Sequence, residues 1–493
     1  MVKSLRTRVG FGVLATALLA STAGCGTRAS DRSIVDALRA PITVAATTGS
    51  APVDSGDTTT AAAPGAPVAA GGTVSAPAAG AAAAAAGAAA APTKKSPAAQ
   101  GSAPRVSAAS AGTHAASAKP GSSGDEPKAP ASPTVADKSP VTVGTLGPFS
   151  GVLGAVTAGS PRTISAWAAY ANSHGGLNGH PIKVVVADDQ ADPGTSLTLA
   201  RRLVENDHAI AFVGDIQFFG FQQVEQYLRS KNVPMIGGDG VDAGWQKSPI
   251  TFPVAPPVAT QIIKGLKMYV DSGARKIAML YCLEVGSLCQ YLNDQAKKSE
   301  VGQYIEQSYQ VSLVAPSYTS QCLRMKQANL EVVYMLLDTA SASRVTKDCA
   351  TQGYKPKFML LGLDATREMP TIPSLSDALI PGATASPGAA NLAAVTEYRQ
   401  VMQTFAPSVG DSGFGLLGWA AAKLLGLAGK NLSDSPTSAD LFTGLYTVKD
   451  ESFGGFTVPL TFTEQQRAAK PCVFIWGVAA DKFAAPQGNK PLC

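Results

Sequence analysis

The chain has 493 residues and a formal net charge of +5 at neutral pH, and only 15% of its residues are charged. A charge this small, with no concentrated basic stretch, argues against nucleic-acid binding, which needs a positively charged face. Alanine, glycine and proline are concentrated in the first third of the chain. Only about the last 350 residues therefore have the composition of a folded protein.

The first 24 residues have the organisation of a signal peptide. A basic stretch with Lys3, Arg6 and Arg8 precedes an apolar run over 9–20, which is too short to span a membrane. The following segment, STAGC, ends at Cys25 and resembles the lipobox of bacterial lipoproteins. This resemblance implies that Cys25 carries a lipid anchor on the extracytoplasmic face of the bacterial cell membrane. The alternative is an ordinary secretory signal with an incidental cysteine.

Residues 25–140 consist mostly of Ala, Pro, Gly, Ser and Thr, with almost no aromatic or large aliphatic side chains. A segment of this composition buries too little apolar surface to offset the entropy that it would lose on folding. The alanine run over 81–91 is interrupted by Gly87 and followed by Pro92, which disfavours a stable helix. We predict a disordered tether with a root-mean-square reach of roughly 60 Å.

From residue 141 onward, short apolar runs alternate with amphipathic stretches of helical length. Because alternating βα units build parallel sheets with helices on both faces, this pattern predicts an α/β fold. Strands are predicted at 141–147, 182–187, 209–213, 233–236, 275–281, 331–337 and 357–361. Helices are predicted near 160–173, 194–206, 218–230, 258–272, 287–300 and 341–353.

Three segments of this region resemble the leucine/isoleucine/valine-binding proteins of ABC transporters. They are VGTLGPFSG at 143–151, AYANSHGGLNGHPIKVVVADDQADP at 169–193 and LVENDHAIAFVG at 203–214. In the second segment, glycines allow the tight turns with positive φ that lead from a helix into a strand. The resemblance covers 141–493 and includes LTFTE at 460–464, where the family has a short strand.

The resemblance implies a two-lobed, type I periplasmic-binding-protein fold with three crossovers between the lobes. Each lobe would be a mainly parallel sheet flanked by helices. The first lobe would comprise 141–257 and 384–464, and the second lobe 258–383 and 465–493. A small ligand would bind between the lobes, at the carboxyl ends of the strands, and would close them by a hinge motion.

Six cysteines lie in the predicted second lobe. The most local pairing joins Cys282 with Cys289, Cys322 with Cys349, and Cys472 with Cys493. Fifteen pairings of six cysteines are possible, so the sequence leaves the connectivity open. Disulfides would require an oxidising compartment. The alternative is a metal site, but no CxxC or histidine-rich spacing accompanies the cysteines, and neither a metal nor a cofactor is predicted.

The loops after the predicted strands should supply the ligand contacts. In the family, hydroxyl side chains of the second and third loops bind the ligand's carboxylate, and an acidic residue of the last loop binds its ammonium. Matched by motif, this chain has Phe218 and Val241 in place of the hydroxyl residues, whereas Asp364 matches the acidic residue. The candidate ligand-binding residues are Ser150, Val156, Phe218, Phe219, Asp239, Val241, Glu284, Val285, Asp338 and Asp364.

The missing hydroxyl donors argue against a branched-chain amino acid as the ligand. Each lost donor to a buried carboxylate would cost about 1.5–3 kcal/mol of binding free energy. We expect an apolar or aromatic ligand instead, with a cationic or hydrogen-bond-donating end near Asp338 and Asp364. As alternatives, Phe218 and Phe219 would begin the next helix and pack against the sheet, and Asp364 would cap a helix in a surface loop.

Motifs for catalysis or nucleotide binding are incomplete. GDSG at 410–413 matches the nucleophile segment of trypsin-like proteases, but it opens a helical pattern in an α/β context. His174, His180 and His208 lack metal-ligand spacing, and we expect them to face solvent in turns. The glycines after the first strand lack the Lys and Ser/Thr of a phosphate loop.

The sequence therefore predicts a binding protein and not an enzyme. We expect a monomeric, lipid-anchored solute-binding protein that captures a small molecule and delivers it to an ABC permease. One alternative is a ligand-sensing receptor of the same fold without transport. The other alternative is a cell-wall enzyme, but the predicted cleft loops contain no set of side chains suited to catalysis.

Overall fold

The computed structural model describes residues 137–493, and the predicted signal peptide, Cys25 and nearly all of the predicted tether lie outside these residues. The described part has two lobes, each built on a parallel sheet. The chain passes between the lobes three times, because the helices after residue 392 pack on the first lobe and the last strands join the second. The predicted α/β, two-lobed fold class is confirmed.

The first segment of the chain builds the sheet of the first lobe. Its elements are β1 (Val141–Gly147), α1 (Gly151–Thr157), α2 (Gly159–Asn172), β2 (Ile182–Asp188), α3 (Pro193–Glu205), β3 (Ala211–Val213), α4 (Phe221–Ser230), β4 (Met235–Ile236) and β5 (Thr251–Phe252). All neighbouring strands are parallel, in the order β2-β1-β3-β4-β5. The strand order reverses at β1, so a crevice is expected outside the carboxyl ends of β1 and β3.

The glycine-rich turn between α2 and β2 adopts the predicted conformation. Gly175, Gly176 and Gly179 have φ values of 95°, 66° and 89°, which a side chain would disfavour. The prediction that all three histidines face solvent is wrong for His180. Its side chain is fully buried, and its Nδ1 lies 2.7 Å from the Ser139 carbonyl oxygen, because the turn folds back onto the start of β1.

The second segment builds the other lobe. Its elements are α5 (Val258–Asp271), β6 (Ile277–Cys282), α6 (Gly286–Lys298), β7 (Ile305–Val311), α7 (Thr319–Gln327), β8 (Val332–Leu336), α8 (Thr339–Thr351), β9 (Lys357–Leu360) and β10 (Ile380–Gly382). Four of these strands form a parallel sheet in the order β7-β6-β8-β9. The order reverses at β6, so the loops after β6 and β8 face the crevice of this lobe.

The remaining chain contributes to both lobes. Its elements are α9 (Ala393–Phe405), α10 (Gly413–Ala428), α11 (Ser438–Leu445), β11 (Phe474–Ala479), β12 (Lys482–Ala484) and β13 (Pro486–Asn489). Helices α9 and α10 pack on α2 of the first lobe, whereas β11 pairs antiparallel with β10 of the second. Helix α10 is almost entirely apolar and is buried along most of its length, except near Lys423, which pairs with Glu397. A Cβ atom on its Gly418 would lie 2.9 Å from the Ser160 carbonyl oxygen, so glycine is needed there.

The short strand expected at 460–464 is not formed, and only an isolated bridge joins Leu460 to Glu451. The GDSG segment behaves as the sequence predicts, since Gly413 begins α10. Among residues 137–493, no helix is long and apolar enough to cross a membrane. The same residues contain no cluster of three or more side chains suited to hold a metal ion.

Three disulfides cross-link the second lobe, and they join the same cysteines as the most local pairing of the sequence. Cys282–Cys289 connects the end of β6 to the first turn of α6. Cys322–Cys349 connects α7 to α8, and Cys472–Cys493 connects the start of β11 to the chain terminus. The disulfides therefore cross-link the second lobe at three places: the loop after β6, the helix pair α7 and α8, and the C-terminal segment.

Candidate functional site

A cavity lies between the lobes at the carboxyl ends of their central strands, and we call it the inner cavity. Its volume is about 70 Å³. Both lobes contribute side chains to the wall, as a ligand that stabilises the closed arrangement requires.

The wall from the first lobe is apolar. One turn of α1 presents Val152, Leu153 and Val156 to the cavity. The Phe218 ring, which follows β3, packs edge-on against Phe414 of α10 with the ring centroids 6.3 Å apart. Val241, after β4, is also part of this wall. The first lobe thus offers no hydroxyl or charged side chain to a ligand in the inner cavity.

The wall from the second lobe is formed mainly by the loops after β6, β7, β8 and β9, together with the first half of α6. It is also largely apolar, and the Cys282–Cys289 disulfide forms part of it. Two carboxyl groups, Asp338 and Asp364, are the only ionisable side chains among the residues that line the inner cavity. The lining includes Leu288, Leu292, Leu313, Leu336, Leu337, Leu361 and Leu363.

The two carboxyl groups differ in their hydrogen bonding. Asp338 caps α8, and its carboxylate accepts hydrogen bonds from the Ser341 backbone N–H at 2.7 Å and from the Ser341 hydroxyl at 3.2 Å. The Asp364 side chain has no hydrogen-bond partner among the described residues, and its Oδ2 atom is fully covered. The Asp338 carboxylate therefore stabilises the start of α8, whereas the Asp364 carboxyl group has no such partner in the described chain.

Burial raises the pKa of Asp364 to about 8, and the neighbouring charge of Asp338 adds to the increase. The hydroxyl of Tyr334 beneath it is also fully covered and has no partner among residues 137–493. Burial, followed by the charge of Asp364, raises the pKa of Tyr334 well above its usual value. At neutral pH Asp364 is accordingly mostly protonated, unless a cation beside it favours the ionised form.

A second, larger cavity of about 560 Å³ adjoins the inner cavity towards solvent, and we call it the outer cavity. Val152, Leu153 and Val285 line both cavities. The outer cavity has a more polar wall, which includes Ser150, Gln190 and Glu284. Its other lining residues are Pro148, Gly151, Ala191, Pro193 and Phe219.

Glu284 is held in place by the loop after β7. Its Oε1 atom accepts hydrogen bonds from the Ser312 hydroxyl at 2.6 Å and from the Leu313 backbone N–H at 2.9 Å. Although partial burial acts in the opposite direction, these hydrogen bonds lower the pKa of Glu284. The residue itself is exposed, so the outer cavity presents a fixed carboxylate to an incoming ligand.

Most of the candidate residues from the sequence lie at one of the two cavities. Six line the inner cavity, namely Val156, Phe218, Val241, Val285, Asp338 and Asp364. Ser150, Phe219 and Glu284 line the outer cavity, together with Val285. Asp239 lines neither of them: it is fully buried, and its carboxylate accepts hydrogen bonds from the backbone N–H groups of Gln217 at 2.5 Å and Val241 at 2.7 Å. Asp239 thus joins the loops after β3 and β4.

The structure also shows where the residues with two interpretations lie. Helix α4 begins at Phe221, so Phe218 and Phe219 precede it and lie at the cleft. Asp364 ends a short 3-10 turn over Gly362–Asp364, and its carboxyl group caps no helix in the described chain. Val152, Leu153 and Phe414 also line the inner cavity but are absent from the sequence-based candidates. The first two lie on the short helix α1 and the third on α10, and neither helix was predicted at the cleft.

Comparison with known proteins identifies relatives of this chain. The sequence model of the family described as periplasmic binding protein matches residues 140–482. An amino acid binding protein of Pseudomonas aeruginosa is 40% identical over 74 residues, which are 15% of this chain and 20% of that protein. The match therefore spans about a fifth of that relative's length.

Two solved structures have a similar fold. A branched-chain amino acid ABC transporter protein from Thermus thermophilus, with bound valine, has a TM-score of 0.63 at 14% identity, covering 70% of this chain and 95% of that one. A solute-binding protein from R. palustris, in complex with benzoate, has a TM-score of 0.60 at 15% identity, covering 72% and 97%. Together with the family match over most of the described residues, they show that the chain belongs to the periplasmic binding protein family, with the type I fold.

Proposed function

We propose that this protein is a lipid-anchored, extracytoplasmic solute receptor that delivers a small ligand to an ABC importer. The ligand has an apolar body and a cationic or hydrogen-bond-donating end. One observation carries the ligand class: the inner cavity is lined by apolar side chains, and its only ionisable groups are the carboxyls of Asp338 and Asp364.

The cavity chemistry disfavours branched-chain amino acids and other carboxylates. No hydroxyl or basic side chain lines the inner cavity, so a ligand carboxylate would lack a charge partner and would face two acidic groups. An uncompensated buried charge is costly. The two structural neighbours hold valine and benzoate, but at 14% and 15% identity they support the fold and not the ligand.

Asp364 is the residue that we expect to meet the polar end of the ligand. A bound ammonium would pair with the Asp364 carboxylate and lower its pKa, so binding would release a proton. The affinity for a cation should therefore rise with pH until the pH passes the pKa of about 8 in the free protein. A neutral ligand should show no such dependence.

Isothermal titration with 1-aminohexane, hexanoate and leucine at pH 6 and pH 8 tests the ligand class. We expect 1-aminohexane to bind most tightly, with an affinity gain of up to about tenfold per pH unit. Asp364→Asn should remove this pH dependence, because the amide does not ionise in this range. Tightest binding of leucine, or an unchanged affinity in Asp364→Asn, would contradict the proposed class.

The lipid anchor is a separate part of the proposal, and it rests on the STAGC segment ending at Cys25. Cys25→Ala should move the protein from the detergent phase to the aqueous phase in a detergent-partition experiment on expressing bacteria. An unmodified protein that partitions in the same way as Cys25→Ala would show that the chain is secreted without an anchor.

A further inference from the structure

We propose that the ligand occupies both cavities, so that it is an elongated molecule with an apolar middle and a hydrogen-bond-donating or cationic group at each end. Asp364 would bind one end and Glu284 the other. This inference rests on the proposed function, because it extends the same binding site, and it adds a second polar subsite.

The first support is the connection between the two cavities. Val152 and Leu153 of the first lobe and Val285 of the second lobe line both of them. A ligand chain can therefore pass between these three side chains without leaving an apolar surface. Burial of each methylene group along this path is favourable.

The second support is the size of the cavities. The inner cavity has a volume of about 70 Å³, and the outer cavity has a volume of about 560 Å³. Most of the space between the lobes at this site therefore lies in the outer cavity. A ligand too large for the inner cavity must extend into the outer cavity if its first end lies at Asp364.

The third support is the placement of charge. Glu284 is the only ionisable side chain that lines the outer cavity, and it is fixed there by its hydrogen bonds to Ser312 and Leu313. Its Oε1 atom accepts both of these hydrogen bonds, which leaves the other carboxylate oxygen for a donor on the ligand. Both ends of the site thus present acidic groups, and no basic side chain lines either cavity. This excludes dicarboxylates and favours α,ω-diamines or similar molecules with two donor ends.

The fourth support is that the outer cavity is shared between the lobes. Ser150, Gln190 and Phe219 belong to the first lobe, whereas Glu284 and Val285 belong to the second. A ligand that reaches the outer cavity contacts both lobes along its whole length. Such contacts are present only when the lobes are closed, so they favour closure.

Isothermal titration of the full chain with 1-aminobutane, 1-aminohexane, 1-aminooctane and 1,8-diaminooctane tests the inference. We expect the affinity to rise about fourfold for each added methylene through eight carbons. The diamine should bind at least threefold more tightly than 1-aminooctane. Glu284→Gln should abolish this preference, while its amide oxygen still accepts the hydrogen bonds that hold the loop.

A blocking variant separates the two cavities. The Ser150 side chain forms no hydrogen bond in the described structure, so Ser150→Trp should fill the outer cavity without loss of a structural contact. It should remove the affinity gain from 1-aminohexane to 1-aminooctane. Leu323→Trp, at an exposed position of α7 that lines neither cavity, is the matched control.

The outcomes distinguish this inference from the proposed function. If 1-aminobutane and 1-aminohexane bind through Asp364 but 1-aminooctane gains nothing, and Ser150→Trp behaves as Leu323→Trp does, the outer cavity is not a subsite. The inference is then wrong and the proposed function stands. If no amine of any length binds, the proposed ligand class is wrong and the inference is overturned with it.

Discussion

Asp215 belongs to a group of buried carboxyls at the carboxyl ends of the strands of the first lobe. It is 1% exposed, its Oδ1 atom accepts a hydrogen bond from the Leu146 backbone N–H at 3.0 Å, and its Oδ2 atom has no partner among the described residues. Burial, with the nearby charges of Asp239 and Asp189, raises the pKa of Asp215 well above its usual value. Burial also raises the pKa values of Asp189 and Asp239 to about 6.

These raised pKa values make the stability of the first lobe fall as the pH rises above about 4. Each carboxyl favours its neutral form in the folded state, whereas the unfolded chain ionises it above a pH of about 4. The stabilising contribution is therefore complete below that pH and is lost as the pH rises through the folded-state pKa, by about 1.4 kcal/mol per pH unit and group. For Asp189 and Asp239 this loss falls between about pH 4 and pH 6.

Asp215→Asn should make the protein less sensitive to pH. Asparagine keeps an oxygen for the Leu146 N–H, resembles the neutral aspartic acid, and cannot ionise in the unfolded chain. Between pH 5 and pH 7 the variant should lose less of the free energy of unfolding than the unmodified protein, because burial raises the pKa of Asp215 well above its usual value. Thermal and denaturant unfolding at both pH values provide the measurement. Asp377→Asn, at an exposed position, is the control, and parallel pH curves for all three proteins would refute the assignment.

At the scale of elements, the loop between β6 and α6 is the most informative segment. It follows the strand at which the sheet order of the second lobe reverses, and it contains Glu284 and Val285. The Cys282–Cys289 disulfide closes this loop, and both cysteines line the inner cavity. We infer that this disulfide acts mainly by holding the cleft wall in position. Cys322–Cys349, in contrast, joins two helices and lines neither cavity.

Of these two disulfides, Cys322–Cys349 should contribute more to stability and Cys282–Cys289 should contribute more to ligand binding. In the chain-entropy treatment, the shorter loop of Cys282–Cys289 contributes about 2.5 kcal/mol to stability and the longer loop of Cys322–Cys349 about 3.6 kcal/mol. The Cys282→Ala/Cys289→Ala variant should therefore lose less stability but more ligand affinity than Cys322→Ala/Cys349→Ala. Unfolding and 1-aminohexane titration of both variants test this. Equal affinities would mean that the disulfide does not position the cleft wall.

At the scale of the whole molecule, neither lobe is formed from one continuous stretch of chain. Helices α9 and α10 return to pack on α2, and β11 returns to pair with β10. The lobes are therefore joined by three chain crossings, which restrict their relative motion to a hinge. Because the inner cavity takes its wall from both lobes, a bound ligand contributes its contacts to the closed arrangement.

Ligand binding should therefore make the molecule more compact and more stable. At a hundred times the dissociation constant, a ligand should add about 2.7 kcal/mol to the free energy of unfolding. Small-angle X-ray scattering with saturating 1-aminohexane should show a smaller radius of gyration, and the same concentration of hexanoate should leave it unchanged. Binding without any change in the scattering curve would contradict closure by a hinge.

The fold class and the positions of most buried strands could be predicted from the amino-acid sequence alone. The strands β1 and β8 are buried along almost their whole length because parallel strands are covered on both faces. The edge strand β7 was not predicted, since its sequence IEQSYQV is buried only at its ends and pairs with a single neighbour. Helix α1 was not predicted either, because its seven residues lack a side-chain cap and carry little local signal.

Which side chains line the binding site depends on the tertiary structure and could not be predicted from local sequence. The motifs brought Phe218, Val241 and Asp364 to the expected cleft, but nothing local distinguishes Asp239, which is buried between two loops, from Asp364, which faces the cavity. Both follow an apolar strand in the sequence. Whether a carboxyl group is satisfied by backbone N–H groups or left for a ligand depends on which loops lie beside it, and that is set by strand order and lobe packing.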